Sequence, residues 1–470
     1  MLNRILDSKW TYIVLITGLV IAAVASQFEI RVPSRPLGSP ADIAALSERD
    51  DVNVVFLVID TLRNGRLGSY GYERDTSPIL DALAQTGVRF AHTEAQSSWT
   101  KASMASLWTG INPTRTGITR YDHVIPEAAT MPAELFRDAG YQTFGVFRNG
   151  WVDANFGFSQ GFDLYFKPQP SRTPDRLERK PPGTPALQGS DLDVTEAGVE
   201  FLQSIGSDKF LLYLHYMDVH QYVYDDLAAS KDFGTSFSDV YDSAIHWTDR
   251  NVGRIFRELE EQGLADRTIV IIASDHGEAF YEHGLDGHAR NLYREVTEVP
   301  LLLSLPFRLD PGITVDALVR NVDVWPTVLE LVGLPPLPAA DGQSLVPLML
   351  AAAEAGAPGG SPVEDSRLAF AFLDRSWGQR DKDPLPLLSL RRGPYRLHHS
   401  PQKPDLLELY DHRSDPTEQT NLAEQQPDLA NELRALSESR LEDEVMWETG
   451  HIELDEMQLN QLRALGYVVE

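Results

Sequence analysis

The 470-residue chain contains no cysteine. A disulfide framework, an iron–sulfur cluster, a cysteine zinc site and a catalytic thiol are therefore excluded. Basic residues are scarce beside acidic ones: 41 Lys plus Arg against 69 Asp plus Glu, a formal charge of −28. The summed field repels phosphate backbones, so no nucleic-acid partner is expected. An anionic substrate must be held by local cations or by a metal. Long uncharged apolar runs are also scarce, with one, Trp10 to Ala25, standing out. No internal repeat is visible. What remains is ordinary globular composition, 42% hydrophobic and 23% charged, enough to build a large core and to argue against disorder of the whole chain. At about 150 residues per domain, the length suggests about three domains, or one large domain with additions.

Residues 10–25 are short for a spanning helix of about 20 residues and slightly long for a signal-peptide core of about 7–15. Arg4 and Lys9 precede the run, and it ends in Ala23-Val24-Ala25, an A-x-A cleavage pattern. Trp10 and Tyr12 at one edge suit an interfacial anchor. An uncleaved signal anchor, a cleaved signal peptide and a buried core helix are the open readings; the first two export the rest of the chain. We expect residues 1–26 to be that segment and 27–50, with Pro33, Pro36 and Pro40, to be a stalk. The protein is then extracytoplasmic, periplasmic or at the cell surface, anchored by one N-terminal helix.

Three runs read as strands buried on both faces of a parallel sheet: DVNVVFLVID (51–60), FLLYLHYMD (210–218) and TIVIIASD (268–275). Helical patterns lie at about 76–87, 102–109, 128–139, 191–205 and 239–262. This alternation predicts an α/β fold, in which ligands bind beyond the carboxyl ends of the strands. Three such ends deliver Asp60, His220 and the pair Asp275/His276. Residues 167–189 are proline-rich and locally basic, an exposed loop or a cationic flap beside an anion site. Residues 353–363 read as a linker. Beyond it, 387–390 and 395–398 suit short strands, and 441–466 a helix. The expected domains are 51–350 catalytic, 351–440 a smaller C-terminal unit and 441–470 a helical tail.

The segments NVVFLVIDTLRNGRLGSYGY (53–72), TSPILDALAQTGVRF (76–90), WTKASMASLWTG (99–110), ASDHGEAFYEHG (273–284) and HARNLYREVTEVPLLL (288–303) occur in one order. They are followed by NVDVWPTVLELVGL (321–334), DGQSLVPLM (341–349), LELYDHRSDPTEQTNLA (407–423) and LRALGYV (462–468). Together they resemble the sulfatase family of the alkaline phosphatase superfamily over roughly residues 52–468. The resemblance implies a large, mixed, mostly parallel sheet between helices, with a smaller C-terminal α+β subdomain. It also implies a metal-dependent sulfuric or phosphoric ester hydrolase.

The sequence departs from the family at the nucleophile. Aligned with C-x-P-S-R-x-S-L-L-T-G, whose cysteine becomes formylglycine, the cysteine position is Thr100, the proline Ala102 and the arginine Met104. Threonine is the nucleophile of related phosphoethanolamine and phosphoglycerol transferases, so the departure favours phosphoester chemistry. The second acid of the first sulfatase motif is Thr61 here. The resemblance thus implies one divalent ion (Mn, Mg, Zn or Ca) held by Asp60, Thr100, Asp275 and His276. His220 would protonate the leaving oxygen, His288 would stand where sulfatases place a lysine, Lys101 would bind an anionic oxygen, and Arg115 would support the nucleophile loop. From the residues themselves, Thr100 begins a helix whose exposed amides favour an anion, and it is open to the reading of a plain helix cap, with Ser98 and Ser103 as rivals. His215 reads as a packed histidine, and His283 as either structural or functional.

The leading expectation is an exported hydrolase of sulfate or phosphate mono- or diesters acting through a covalent Thr100 ester. A phosphoethanolamine- or phosphoglycerol-type transferase is the alternative; the single N-terminal apolar segment favours hydrolysis. A catalytically silent, membrane-tethered binding protein with the same fold is the alternative of another class, motivated by Ala102, Met104 and Gly65.

Overall fold

The computed structural model describes residues 35–171, 189–222, 233–356 and 367–464. In chain order the strands are β1 (Asn53–Ile59), β2 (Val88–Glu94), β3 (His123–Val124), β4 (Gln142–Phe147), β5 (Leu164–Phe166), β6 (Phe210–Tyr216), β7 (Thr268–Ala273) and β8 (Ala279–Phe280). They continue as β9 (Asp286–Gly287), β10 (Glu298–Ser304), β11 (Ile313–Arg320), β12 (Leu368–Asp374), β13 (Pro386–Arg392), β14 (Tyr395–Ser400), β15 (Lys403–Asp411) and β16 (Gly450–His451). Eight of them form one sheet in the order β11-β2-β10-β7-β1-β6-β4-β5. Within it only β10 runs against its neighbours, β2 and β7. The expected large, mostly parallel sheet between helices is the fold observed.

Alternation along β1 explains why the run 51–60 is apolar throughout. Val54, Phe56 and Val58 enter one core with Trp108 and Trp325, while Val55, Leu57 and Ile59 enter a second with Leu214 and Ile255. Both faces are covered by helices, so neither set of side chains meets water. The first core is aromatic at its centre: Trp108 and Trp325 stack at 4.8 Å, and the edge of Phe56 meets both. The helices Pro78–Thr86, Thr100–Thr109, Pro132–Asp138, Asp191–Ser204 and Phe237–Glu261 coincide with the expected periodic segments.

The expected stalk does not extend to residue 50. Residues 40–45 form a helix whose Ile43, with Leu46 after it, is buried in the first core, and Gly38 N donates to the Arg308 carbonyl at 2.9 Å. Two apolar side chains in a largely polar stretch sufficed to dock it. Residues 1–34, which hold the apolar run, lie outside the described residues, as does most of the basic loop, 172–188. Of the linker, 353–355 ends the helix Val346–Ala355, and 357–363 lies outside the described residues.

The C-terminal unit is an antiparallel sheet, β12-β13-β14-β15, backed by the helix Pro427–Glu438. The expected long C-terminal helix is replaced by an irregular segment. Gly450 and His451 pair as β16 with β3, Met446 N donates to the Arg115 carbonyl, and a helix forms only at Glu456–Ala464. Backbone pairing with the catalytic unit, not local propensity, decides this stretch.

A buried ionic network joins the two units. Arg396, 1% exposed, reaches Glu94 and Glu418, and Arg391 reaches Glu94 at 2.7 Å and Glu298 at 3.3 Å. Removing one partner leaves carboxylates buried without their cation. Arg396→Ala is therefore expected to lower stability in urea unfolding by about 3–5 kcal/mol. His283 lies at the same junction, stacked on Tyr293 at 3.8 Å, with Nδ1 2.8 Å from Glu295 Oε1 and Nε2 2.8 Å from the Glu418 carbonyl. These contacts tie the two units together. Burial disfavours the imidazolium, but Glu295 and then Glu418 outweigh it and push His283 up to about 9. Its contribution is therefore complete below pH about 6.5, the unfolded value, and is lost as pH rises through about 9. The urea midpoint of wild type minus that of His283→Gln is expected to shrink across this window; a constant difference would refute it.

Candidate active site

The sheet topology gathers the candidate residues. Asp60 follows β1, His220 follows β6, and Asp275 and His276 follow β7, all at the carboxyl edge. Thr100 opens the helix reached from β2 on that edge. Because β10 runs antiparallel, the segment feeding its start, with His288, lies at the same edge.

Thr100 is the first residue of its helix, and the preceding Trp99 has no side-chain cap bond. The rival hydroxyls are engaged elsewhere: Ser98 Oγ donates to the Asn291 carbonyl at 2.6 Å and Ser103 Oγ to the Asp275 carbonyl at 2.5 Å. Thr100 Oγ1 instead lies 3.1 Å from His276 Nε2 and 3.4 Å from Asn149 Nδ2. His276 Nδ1 is 2.9 Å from the Gly277 carbonyl. That acceptor places the ring proton on Nδ1 and leaves a lone pair on Nε2.

Two buried carboxylates face this lone pair. One ligand atom from each of Asp60, Asp275 and His276 lies within 4.8 Å of the others. Asp60 Oδ1 and Asp275 Oδ2 are buried without a hydrogen bond among the described residues. Burial and then the charge of Asp60 raise the Asp275 carboxyl. For Asp60 burial acts in the same sense, yet His220 and then His215 outweigh it and hold the carboxyl well below its usual range. Converging lone pairs without donors fit a divalent cation with oxygen and imidazole ligands. The acids are held from behind: Asp60 Oδ2 accepts from Asn149 Nδ2 at 2.6 Å and faces His215 Nε2 at 3.1 Å, and Tyr213 OH bonds His215 Nδ1 at 2.6 Å. Asp275 Oδ1 accepts from the backbone amides of Thr61 at 3.2 Å and His276 at 2.9 Å. Thr61 thus supplies an amide where the sulfatase motif has an acid.

His288 lies between the other two histidines, its ring tilted 4.5 Å from that of His276 and 4.9 Å from that of His220. Burial pushes His220 down to about 3. Burial acts likewise on His288, but Glu278 Oε2, 3.2 Å from Nδ1, outweighs it and raises the imidazole. Strain marks the same places. Thr61, Tyr222 and Ala289, each near a site residue, have φ of 61°, 56° and 58°, a region costly for side chains with a Cβ and concentrated at functional sites.

Of two expected supporting residues, Lys101 is turned away from the site and Arg115 acts at a distance from it. Lys101 Nζ donates to the Tyr121 carbonyl at 2.6 Å and sits 3.7 Å from the centre of the Phe156 ring. Burial holds this ammonium well below the ordinary lysine value, so it is spent inside the fold rather than on an anion. Arg115 pairs with Asp341, which also accepts from Asn112 N at 2.8 Å. It braces the far end of the nucleophile helix and touches no reacting group. Asn149 follows β4, a strand that no continuous apolar run in the sequence marks. The edge rule that selected Asp60 would have selected it. Arg148 was also missed; it binds Asp218 at 2.6 Å and Asp191 at 3.3 Å and so anchors the short helix Asp218–Gln221 that carries His220.

The family model described as Sulfatase matches residues 52–334, from the start of β1 to beyond β11. The chain belongs to the sulfatase family. It is a sulfatase-like ester hydrolase with an alkaline phosphatase-like core. An arylsulfatase of Hemicentrotus pulcherrimus is 25% identical over 75% of this chain and 68% of its own length. Human arylsulfatase A is 25% identical over 77% of this chain and 78% of its own. Among solved structures, a 2-O GAG sulfatase superposes with a TM-score of 0.66 at 18% identity, over 84% of this chain and 93% of that one. The phosphonate monoester hydrolase of Agrobacterium radiobacter superposes at 0.62 and 19% identity, over 83% and 95%. These two likenesses concern the fold. This sulfatase-family chain differs from the family motif at the nucleophile, where Thr100 stands.

Proposed function

We propose that the protein is an exported, metal-dependent hydrolase that uses Thr100 Oγ1 as nucleophile and prefers phosphorus esters to sulfate esters. The observation that carries this is the placement of Thr100 Oγ1 at a helix start, 3.1 Å from His276 Nε2 and beside the buried carboxylates of Asp60 and Asp275. A divalent cation held by Asp60, Asp275, His276 and Thr100 would withdraw charge from the ester oxygens and ease loss of the hydroxyl proton. The remaining work falls to the chain. Asn149 Nδ2 orients both Asp60 and Thr100 Oγ1. The amides of the first helical turn face the developing negative charge. As Thr100 Oγ1 bonds to phosphorus and its proton passes to solvent, the bond to the leaving alkoxide breaks. That oxygen takes a proton from His288, which Glu278 keeps protonated more readily than the buried His220. Attack by water on phosphorus then breaks the bond to Thr100 Oγ1, the water's proton passing to His288 and Thr100 recovering its own from solvent, and the phosphorus acid leaves.

The nucleophile also bears on the substrate. Formylglycine is an aldehyde, whose hydrate has a second hydroxyl able to expel a bound sulfate. Threonine has one hydroxyl, so its ester must be opened by a second displacement at the central atom, which suits phosphorus. The phosphonate monoester hydrolase among the structural neighbours favours the same class. The full chain, assayed with Mn²⁺, Mg²⁺, Zn²⁺ and Ca²⁺ on nitrophenyl phosphate, bis-nitrophenyl phosphate, a nitrophenyl phosphonate and nitrophenyl sulfate, should cleave a phosphorus ester with at least about tenfold higher kcat/KM than the sulfate, a gap of about 1.4 kcal/mol in barrier. A faster sulfate would sink the preference.

Export and tethering rest on the run Trp10 to Ala25 with its cationic flank. Among the described residues no helix is long and apolar enough to cross a membrane, and we assign the tether to residues 1–26.

A further inference from the structure

At the edge of the sheet remote from Thr100, the described chain begins. Arg35 Nη1 donates to Ser304 Oγ at 2.5 Å and to the Leu305 carbonyl at 3.0 Å, where antiparallel β10 ends. Leu37 bridges Arg308 just beyond. The helix Phe237–Glu261 descends to the same edge before β7 starts at Thr268. A groove of about 560 Å³ runs from there along the outer face of this helix, up to Trp247, whose indole donates to Asp218 near His220. Arg35, Arg250, Arg254 and Arg257 line it against one acid, Glu260. Positions 250, 254 and 257 share one stripe of the helix. Arg254 meets Glu196 only at 3.9 Å. Four guanidinium groups thus gather on a chain of net charge −28. Between them the lining is apolar, with Leu83 and Trp247. Cations around an apolar floor suit a phosphate carried on an apolar body better than a free inorganic anion.

The chain before Arg35 gives this groove its occupant. Residues 26–34 separate the apolar run from Arg35 and reach at most about 32 Å when fully extended. With the run in the bilayer, Arg35 and the groove end beside it lie within that reach of the membrane. Clustered Arg beside a membrane segment is drawn to anionic headgroups within about a Debye length. We propose that this groove docks on anionic phospholipid headgroups of the tethering membrane and turns the Thr100 site away from the bilayer. The orientation rests on the tether proposed above; the groove's lipid binding is read separately.

The full chain would be reconstituted in phosphatidylcholine liposomes with and without phosphatidylglycerol, and arginine labelling by phenylglyoxal read by mass spectrometry. Labelling of Arg250, Arg254 and Arg257 should fall several-fold with phosphatidylglycerol and recover in high salt, while exposed Arg413 on the C-terminal unit is unchanged. Arg250→Gln/Arg254→Gln/Arg257→Gln should hydrolyse a soluble nitrophenyl ester normally and lose the lipid-dependent protection of Arg35. Equal labelling in both liposomes overturns the proposal. Equal protection by inorganic phosphate in phosphatidylcholine alone makes the groove a soluble-anion site and overturns the lipid assignment. Flotation with phosphatidylcholine liposomes in high salt tests the tether; its failure overturns the orientation even where groove protection persists.

Discussion

Thr100→Ala is expected to abolish turnover of every ester the protein cleaves, by about 10³-fold or more, because removal of a covalent nucleophile takes away the step itself. The substitution removes one hydroxyl and one methyl at the first turn of a helix that has no side-chain cap to lose. Folding should therefore persist, and circular dichroism with a urea midpoint near that of wild type checks it. Wild type quenched during turnover of a phosphorus ester should carry a single phosphoryl adduct on Thr100. The Ala variant should carry none, on any residue. Retained activity in Thr100→Ala, or an adduct on Ser98 or Ser103, would sink the assignment. The structure already directs those two hydroxyls to the Asn291 and Asp275 carbonyls. Thr100→Ser keeps the hydroxyl and should retain measurable activity.

Asp275→Asn should remove both metal binding and turnover while leaving the metal-free protein no less stable. Asp60 and Asp275 are fully buried together, and burial and then Asp60 raise the Asp275 carboxyl. Replacing one charge by an isosteric amide relieves that repulsion in the absence of a cation. Wild type at 100 times the metal Kd should gain about 2.7 kcal/mol of stability, and the variant close to none. Thermal melts with and without Mn²⁺ or Zn²⁺, beside elemental analysis, measure this. Equal metal-induced stabilisation of wild type and variant would remove Asp275 from the ligand set.

Much of the fold was legible because its pattern is local. Continuous apolar runs ending in Asp marked β1, β6 and β7, and 3.6-residue periodicity marked the long helices. β4 escaped because TFGVF is short and interrupted by Gly145, and Asn149 escaped with it. The stalk expected over 27–50 and the helix expected over 441–466 fail in part for one reason: residues 35–50 and 441–455 are held by distant partners, Arg308 and β3 respectively. Lys101 was placed by motif alignment, which gives a position along the chain but not the direction of a side chain.

The sequence by itself determined the α/β class, the family, the absence of a formylglycine precursor and the order in which Asp60, Thr100, Asp275 and His276 enter the fold. The class follows from composition and period, and the family and the order of site residues from a series of motifs that resemble the family's, all of them properties of neighbours in the chain. Only the tertiary structure decided that Thr100, not Ser98 or Ser103, faces the carboxylates, that Asn149 and His215 hold Asp60, and that Glu278 favours protonation of His288 over His220. Those are contacts between groups 10 to more than 200 residues apart in sequence. Hydrogen-bond geometry and burial act over a few ångströms of space, and only packing of the whole sheet brings such groups within that distance.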